Sequence, residues 1–523
     1  MIDKKTDKSM TTAQDLGAIV RSSRQIMRKD KGLNGDLDRL PVLTWIMFLK
    51  FLDDLENIRE TKAILNSKEF TPAIESPYRW RDWAAIEGSI TGQELISFIN
   101  NETTIRPDGT EGKGLFTYLK DLTGSDETID RCSVISVVFS GLTNRMTNGY
   151  LLRDVIDKVN GIHFNSSEEI HTLSHLYETM LREMRDAAGD SGEFYTPRPL
   201  VKFIVEVMAP QLGESVLDPA CGTGGFLVEA FEFLDKQCES VEQRNILQNS
   251  SLLGGEPKPL PHLLVQMNLL LHGLESPQID PGNSLRFPLK ELGDKDRVDV
   301  ILTNPPFGGE EEKGILGNFP EDMQTTETAQ LFLQLIMRKL RRPGKGKEDG
   351  GRAAVVIPDG TLFSQGVGAR IKEDLLKNFN LHTIVRLPDG VFSPYTDIAA
   401  NILFFDRGTT SNDVWFYEIT PPEGRKKYTK TKPMEFDELS DCIVWWNNRR
   451  ENTHAWKVNI ENILKYDEEE NLISANLDCK NPSGLEALVH LPPSQLIKSI
   501  HNKEKQIIKV LDEIQALLSG GNE

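Results

Sequence analysis

Positive charge is what this chain lacks most. Sixty lysines and arginines face 79 aspartates and glutamates, a net charge of −19 at pH 7 over 523 residues. Binding to duplex nucleic acid rests largely on cations that neutralise phosphates, so an acidic chain is expected to hold DNA poorly by itself. Cysteine is also sparse. Cys132, Cys221, Cys238, Cys442 and Cys479 are scattered and form no Cys-x-x-Cys pair. That argues against a disulfide framework and a thiolate metal site, so no metal is expected, and it fits a reducing cytoplasm. No apolar run reaches membrane length and the opening Met-Ile-Asp-Lys-Lys-Thr-Asp-Lys is polar, so neither a leader nor a membrane contact is expected. There is no G-x-x-x-x-G-K-[ST] loop, which excludes ATP hydrolysis through a phosphate loop, and no convincing nuclease carboxylate cluster.

What is present suffices for two or three soluble domains: 38% hydrophobic and 27% charged residues, with no internal repeat or low-complexity tract. Residues 1–165 read as helical. Thr12–Met27 and Pro41–Lys62 carry apolar residues at helical spacing, Val42, Trp45, Ile46, Phe48, Leu49, Leu52 and Leu55 among them, which predicts the core stripe of a bundle. A helix around His171–Arg185 leads into a hinge at 186–192. Over 166–410 strands and helices alternate, which predicts an α/β domain with a mostly parallel sheet covered on both faces. Its strands are expected at 215–219, 251–255, 298–303, 353–358, 382–387 and 401–406. An extension, 411–484, is less readable; its Trp445-Trp446 pair is more simply buried packing than a base-stacking platform. Residues 485–523 read as a helical tail that binds a partner. There Ile497, Ile500, Glu504, Ile507, Leu511, Ile514 and Leu518 alternate three- and four-residue steps, a short seam that docks either on its own domain or on a partner.

Two motifs carry chemistry. The run Val298-Asp299-Val300-Ile301-Leu302-Thr303 ends in Asn304-Pro305-Pro306-Phe307. A buried strand ending in that tetrapeptide places an amide oxygen, a carbonyl of fixed direction and a ring face at one point. These suit a flat amino group that must be held, polarised and stacked, as in an adenine lifted from a duplex. Upstream, Ser215-Val216-Leu217-Asp218 enters Pro219-Ala220-Cys221-Gly222-Thr223-Gly224-Gly225-Phe226. Glycines there let backbone approach a ligand at the carboxyl end of a strand. A second strand, Ser251–Gly255, delivers Glu256, whose carboxylate can accept from two ribose hydroxyls. Glu256 lies 31 residues beyond Gly225, further than in the dinucleotide fingerprint, and a long helix from Phe226 towards Gln248 would absorb the excess.

Together these residues resemble the amino-group DNA methyltransferases that use S-adenosylmethionine. Gly192-Glu193-Phe194-Tyr195-Thr196-Pro197-Arg198-Pro199-Leu200 narrows the resemblance to the N6-adenine modification subunits of type I restriction-modification systems. The resemblance spans about Ala13 to Gly408. It implies a Rossmann-like S-adenosylmethionine-dependent sheet behind an N-terminal helical domain. Asn304, Pro305, Pro306 and Phe307 would be catalytic. Asp218, Cys221, Gly222, Thr223, Gly224 and Glu256 would hold the cofactor, Glu193, Phe194, Tyr195, Thr196, Pro197 and Arg198 would close over it, and Asn283 is a weaker candidate near its adenine. Cys221 also reads as a small residue filling the turn, and Asn283 as a turn former. Double-stranded DNA and a separate specificity subunit are the implied partners, with room for a second copy of the chain and an ATP-dependent restriction subunit.

Three readings compete at this stage: a catalytic subunit of a multisubunit enzyme, a self-sufficient methyltransferase, and a cofactor-binding scaffold. The residues after Gly408 are thin for a target-reading domain, and a scaffold has no need of Asn304, Pro305 and Phe307. Asn-Pro-Pro-aromatic also serves enzymes acting on protein glutamine or RNA amines. No Pro-Cys dipeptide occurs, which removes the nucleophile context of cytosine-C5 methylation. Two basic runs, Arg338–Lys347 and Arg425–Lys432, could touch phosphate, although a solvated loop is the simpler reading of each.

Overall fold

The computed structural model describes residues 13–67, 69–86, 88–123, 129–162, 196–309, 311–344, 349–393, 396–408, 410, 412–483 and 508. The expected helix and hinge at 171–192 and the seam at 497–518, Ile508 apart, lie outside them. The chain divides into a unit of residues 1–479 and a second of 480–523. The first is described below.

Its amino-terminal part is a helical bundle. Helices Ala13–Met27, Asp36–Leu65 (α1), Ile129–Ser140 and Gly149–Asn160 surround a core in which Trp45, Phe48, Phe51, Trp83, Phe98 and Phe139 are fully buried. The expected stripe lies in this core from Val42 to Leu52, and Leu55 is buried beyond it. Trp45 meets Phe116 edge-on at 5.2 Å, the geometry aromatic quadrupoles prefer. Asn148 caps Gly149–Asn160 by accepting from the Tyr150 and Leu151 amides. A two-stranded hairpin, Thr103–Ile105 with Glu111–Lys113, was not expected from the sequence; its strands are only three residues each.

The rest of this unit is built on nine strands: Val216–Asp218 (β1), Leu252–Gly255 (β2), Gln278–Asp280 (β3), Val300–Thr303 (β4), Arg352–Pro358 (β5), Asn380–Arg386 (β6), Ala400–Asp406 (β7), Asp413–Glu418 (β8) and Ala455–Asn459 (β9). Their spatial order is β9-β8-β6-β7-β5-β4-β1-β2-β3. All six expected strands are present. The sheet is parallel from β3 to β5 and between β6 and β8, while β7 runs antiparallel between β5 and β6. The chain builds outward from β1 to β3, then returns to place β4 on the other side of β1. That reversal opens a crevice beyond the carboxyl ends of β1 and β4, where open α/β sheets bind ligands.

Two expectations need correcting. Residues 411–484, read as an extension beyond the catalytic domain, supply β8 and β9 to the same sheet. Trp415, Phe416 and Tyr417 obscured the signal because aromatic side chains pack on both faces of β8. Trp445 and Trp446 do pack, as expected: Trp445 is buried and Trp446 lies 4.6 Å from Phe404. The single helix expected from Phe226 to Gln248 is two, Gly225–Asp235 (α2) and Val241–Ser250 (α3). Ser240 accepts from the Gln243 amide while the Gln243 side chain reaches back, a capping box that starts a new helix.

Helix Pro259–Leu271 (α4) joins the two parts. Leu263, Leu264, Met267, Leu270 and Leu271 sit in the bundle core, while Val265 and Leu269 sit in the core beneath the sheet. Arg59 of α1 adds an ion pair with Glu275 at 2.9 Å. Met267 is fully buried. Met267→Ala should therefore lower unfolding free energy by about 2–5 kcal/mol, read from the midpoint of a urea titration of the chain; a midpoint equal to the parent's would show that α4 is not held by the bundle core.

Candidate active site

The glycine-rich turn leaves β1 with Gly222 and Gly224 at φ +53° and +84°, where a side chain strains the backbone. A Cβ on Gly224 would also lie 2.6 Å from Cγ2 of Val265. From the next turn of α4, Asn268 Nδ2 donates to the Thr223 carbonyl at 2.9 Å. Arg198 donates to the Gly225 carbonyl at 3.0 Å. The turn is thus braced from α4 and from the helix Arg198–Met208. Cys221 is buried against β2, where a Cβ on Gly254 would come 3.1 Å from its sulfur, and burial pushes its thiol well above the usual range. It fills space, in keeping with the simpler of its two readings, and is not a poised nucleophile.

Two carboxylates lie in the crevice. Asp218, at the end of β1, accepts on one oxygen, Oδ1, from the Ala220 amide (3.1 Å) and the Thr303 hydroxyl (2.7 Å). Glu256, just past β2, accepts from the Gly222 amide (3.0 Å) and the Lys258 amide (2.9 Å), one bond to each oxygen. A carboxylate has roughly four lone-pair sites, so both retain capacity for a ligand's hydroxyl or amino groups. Burial raises each to about 7, against the partly offsetting pull of their hydrogen bonds, and Glu256 raises Asp218 further. A buried acidic pair of this kind is suited to a cation.

The acceptor corner stands one strand over. Thr303, fully buried, ties β4 to β1 through Asp218, and Asn304 follows it directly. Asn304 Nδ2 donates to the Thr196 hydroxyl at 3.0 Å, which fixes the amide plane. Its Oδ1 is buried and has no hydrogen-bond partner among the described residues. Such atoms are rare because leaving one unpaired costs about 1–3 kcal/mol, and they mark places where a ligand supplies the missing donor. Phe307 is half-buried and meets Phe392 edge-on at 5.4 Å. Phe392 lies on the loop after β6, at the same edge of the sheet.

The structure thus brings Asn304, Pro305, Pro306, Phe307, Asp218, Cys221, Gly222, Thr223, Gly224, Glu256 and Thr196 to one crevice. Pro197 caps the helix that begins at Arg198, and burial lowers the Arg198 guanidinium to about 10 while Glu229 and Glu232 pull it back up. Asn283 takes the turn-forming role: its Oδ1 accepts from the Leu285 amide at 2.9 Å and its Nδ2 donates to Glu311. Glu193, Phe194 and Tyr195 lie outside the described residues. Sequence reasoning missed Thr303, Asn268 and Phe392. The polar Thr303 closing an otherwise apolar strand was a readable signal for the first, and Pro388-Asp389-Gly390 after a strand was one for the loop of the third; Asn268 has none outside its place on α4.

A family model described as N-6 DNA methylase matches residues 168–477, more than half of the chain. The chain belongs to the N-6 DNA methylase family. It is 45% identical over 512 residues to the type I restriction enzyme EcoEI methylase subunit of Escherichia coli, covering 96% of this chain and 97% of that protein. The EcoKI methylase subunit of Escherichia coli strain K12 is 29% identical over 399 residues, covering 72% and 68%. Among solved structures, a modification subunit assigned to a type I restriction enzyme of Vibrio vulnificus YJ016 superposes with a TM-score of 0.88 at 75% identity, over 93% of this chain and all of that one. A chain from a study of assembly and conformational transition in the type I R-M system gives 0.72 at 35% identity, over 98% and 100%. The family and the α/β methyltransferase fold expected from the motifs are those found. No described helix of this N-6 DNA methylase is long and apolar enough to cross a membrane, and no described group of histidine, cysteine and acidic residues could hold a metal ion.

The raised carboxylates set a pH dependence. In the unfolded chain Asp218 and Glu256 lose their protons near pH 4, in the folded protein near 7. Between those values the folded state binds more protons, so this contribution is complete below pH 4 and lost as pH rises through 7. Melting temperatures of the free protein from pH 5 to 8 should fall more steeply than those of an Asp218→Asn, Glu256→Gln double variant. Parallel curves would mean that the pair titrates normally.

Proposed function

We propose that this chain is the catalytic modification subunit of a type I restriction-modification system, transferring a methyl group from S-adenosylmethionine to N6 of adenine in double-stranded DNA. The observation that carries the reading is the unpartnered Asn304 Oδ1 at the switch point, beside a glycine-rich turn and an acidic pair. The residues fit the cofactor. Gly222 and Gly224 leave the turn open to backbone approach, Asp218 is suited to an ammonium and Glu256 to ribose hydroxyls, and together the two acids favour a ligand of positive charge. S-adenosylmethionine supplies an electrophilic methyl on a sulfonium.

The adenine amine is a poor nucleophile because its lone pair is delocalised into the ring. Asn304 Oδ1 and the Pro305 carbonyl each accept one of its hydrogens, which draws the nitrogen towards tetrahedral geometry and frees the lone pair. Thr196 holds the Asn304 amide so that oxygen, not nitrogen, faces the amine. Proline fixes φ at 305 and with it the local backbone. Phe307 stacks on the flipped base, and Phe392 supports that ring at 5.4 Å. Stacking of this kind contributes roughly 1–3 kcal/mol per base. Much of the rate comes from positioning, with no general base required.

The acidity of the chain favours a multisubunit enzyme over a self-sufficient one: at −19 it gains from a partner that supplies sequence reading and basic surface. A specificity subunit is that partner. The reading leaves room in the same assembly for a second copy of the chain and an ATP-dependent restriction subunit, with the cytoplasm as its compartment. The 485–523 tail is the segment proposed to bind the partner.

Asn304→Ala should abolish N6-methyladenine while calorimetry finds cofactor affinity within a few-fold of the parent. The decisive assay is modified-base sequencing of DNA from cells carrying the operon with either form. N6-methyladenine at one split motif with the parent alone supports the reading; no difference between the two sinks it. Cofactor affinity should also rise with pH between about 6 and 8. A cation favours the ionised acids, so binding expels protons that Asp218 and Glu256 hold at about 7. A pH-independent affinity would remove those two acids from the cofactor site.

A further inference from the structure

We infer that the second basic run, Arg425–Lys432, grips the phosphate backbone of the substrate duplex beside the target adenine, with Lys426, Lys427 and Lys432 as the contacts. The inference rests on the DNA methyltransferase reading above and adds where this acidic chain touches DNA. Topology places the run at the right edge. β8 is parallel to β6, so the segment after Glu418 leaves the sheet on the side where the β6–β7 loop emerges, the side of Asn304. The Ile419 amide donates to the Arg386 carbonyl at 3.0 Å, holding the start of that segment against the end of β6.

Packing then ties the run to the base-stacking loop. The Tyr428 amide donates to the Asp389 carbonyl at 2.9 Å. A Cβ on Gly390, whose φ is +76°, would lie 2.2 Å from the Tyr428 carbonyl oxygen, so the two backbones touch. Tyr428 is buried, and two residues beyond Gly390 stands Phe392, 5.4 Å from Phe307. The path from Asn304 through Phe307, Phe392 and Asp389 to Tyr428 is continuous.

The charges on this run divide into two kinds. Arg425 is spent internally, paired with Glu438 at 3.1 Å and lying over the Tyr428 ring. Thr429 and Lys432 exchange backbone hydrogen bonds at 3.2 and 3.1 Å, closing a tight turn. Lys426, Lys427 and Lys432 are exposed, and among the described residues none has an ion-pair partner, although Glu423 and Glu435 flank the run. Buried Tyr428 thus pins a turn that displays lysines outward. A merely solvated loop needs no such anchor. The first run differs: Arg338 donates to the Leu289 and Leu292 carbonyls and Arg341 pairs with Asp299, at the opposite ends of the strands. An unpaired ammonium fits phosphate as a point charge, without sequence preference.

The test uses the whole complex expressed from its operon, with Lys426→Gln, Lys427→Gln and Lys432→Gln combined. Binding to a random-sequence 40-base-pair duplex is titrated across salt, and tritiated methyl transfer is measured on unmethylated genomic DNA. The salt slope should become shallower by about 0.9 for each lysine on a phosphate, roughly two to three in all. KM for DNA should rise with kcat and cofactor affinity held, and the three Lys→Arg changes should restore both slope and KM. A Gln variant with the parent's slope and KM, in a complex that methylates DNA, overturns the assignment of these lysines alone. If the parent complex transfers no methyl to DNA, the function and this inference fall together.

Discussion

The hydrogen bond from the Thr303 hydroxyl to Asp218, 2.7 Å long and buried, is the contact on which the rest of the site depends. It joins the carboxyl ends of the two strands that flank the switch point. One end opens into the glycine-rich turn, the other into Asn304 and its prolines. Either motif alone is a common strand ending. Held side by side, they put a cation-friendly pocket next to an amide oxygen that lacks a donor, which is the pairing a methyl transfer to an amine requires. A polar contact there is costly if half-made, because a buried carboxyl and hydroxyl would each lose hydration without return. The bond therefore fixes the register of the chemistry as well as that of the sheet.

Much of this was legible in the sequence, and the limits follow from the physics of each signal. Strands β1, β2 and β4 to β7 announce themselves as short apolar runs bounded by turn residues. β3 and β9 are too short or too mixed to stand out, and β8 is masked by aromatics on both faces. Asn304, Asp218 and Glu256 were readable because each sits at a strand end in a recognisable motif. The partner that orients Asn304, Thr196, lies 108 residues away, and Pro388-Asp389-Gly390 marks the loop of Phe392 as a turn without showing that the ring meets Phe307. Such contacts are set by tertiary packing, to which local patterns are blind. The Ser240-x-x-Gln243 capping box is a local signal, and it divides what apolar spacing alone reads as one long helix.

Charge explains how the chain divides its labour. Its surplus of acids cannot be a device for gripping DNA, and two of those acids are placed where a cation would be held instead. Several basic side chains are consumed in the fold: Arg352 pairs bidentately with Glu214, Arg341 with Asp299, and Arg386 with Asp478. What remains for phosphate is local, which suits the multisubunit enzyme proposed above.

The helical bundle reaches the crevice through α4. Five of its side chains belong to the bundle core and two to the sheet core, so the helix cannot shift without disturbing both. Its sheet-facing side presents Val265 to Gly224 and Asn268 to the Thr223 carbonyl. Those two contacts hold the glycine-rich turn against α4. Close-packed cores transmit small displacements because they have no slack to absorb them. Any partner that reorients the bundle must therefore move α4, and through it the glycine-rich turn at the end of β1.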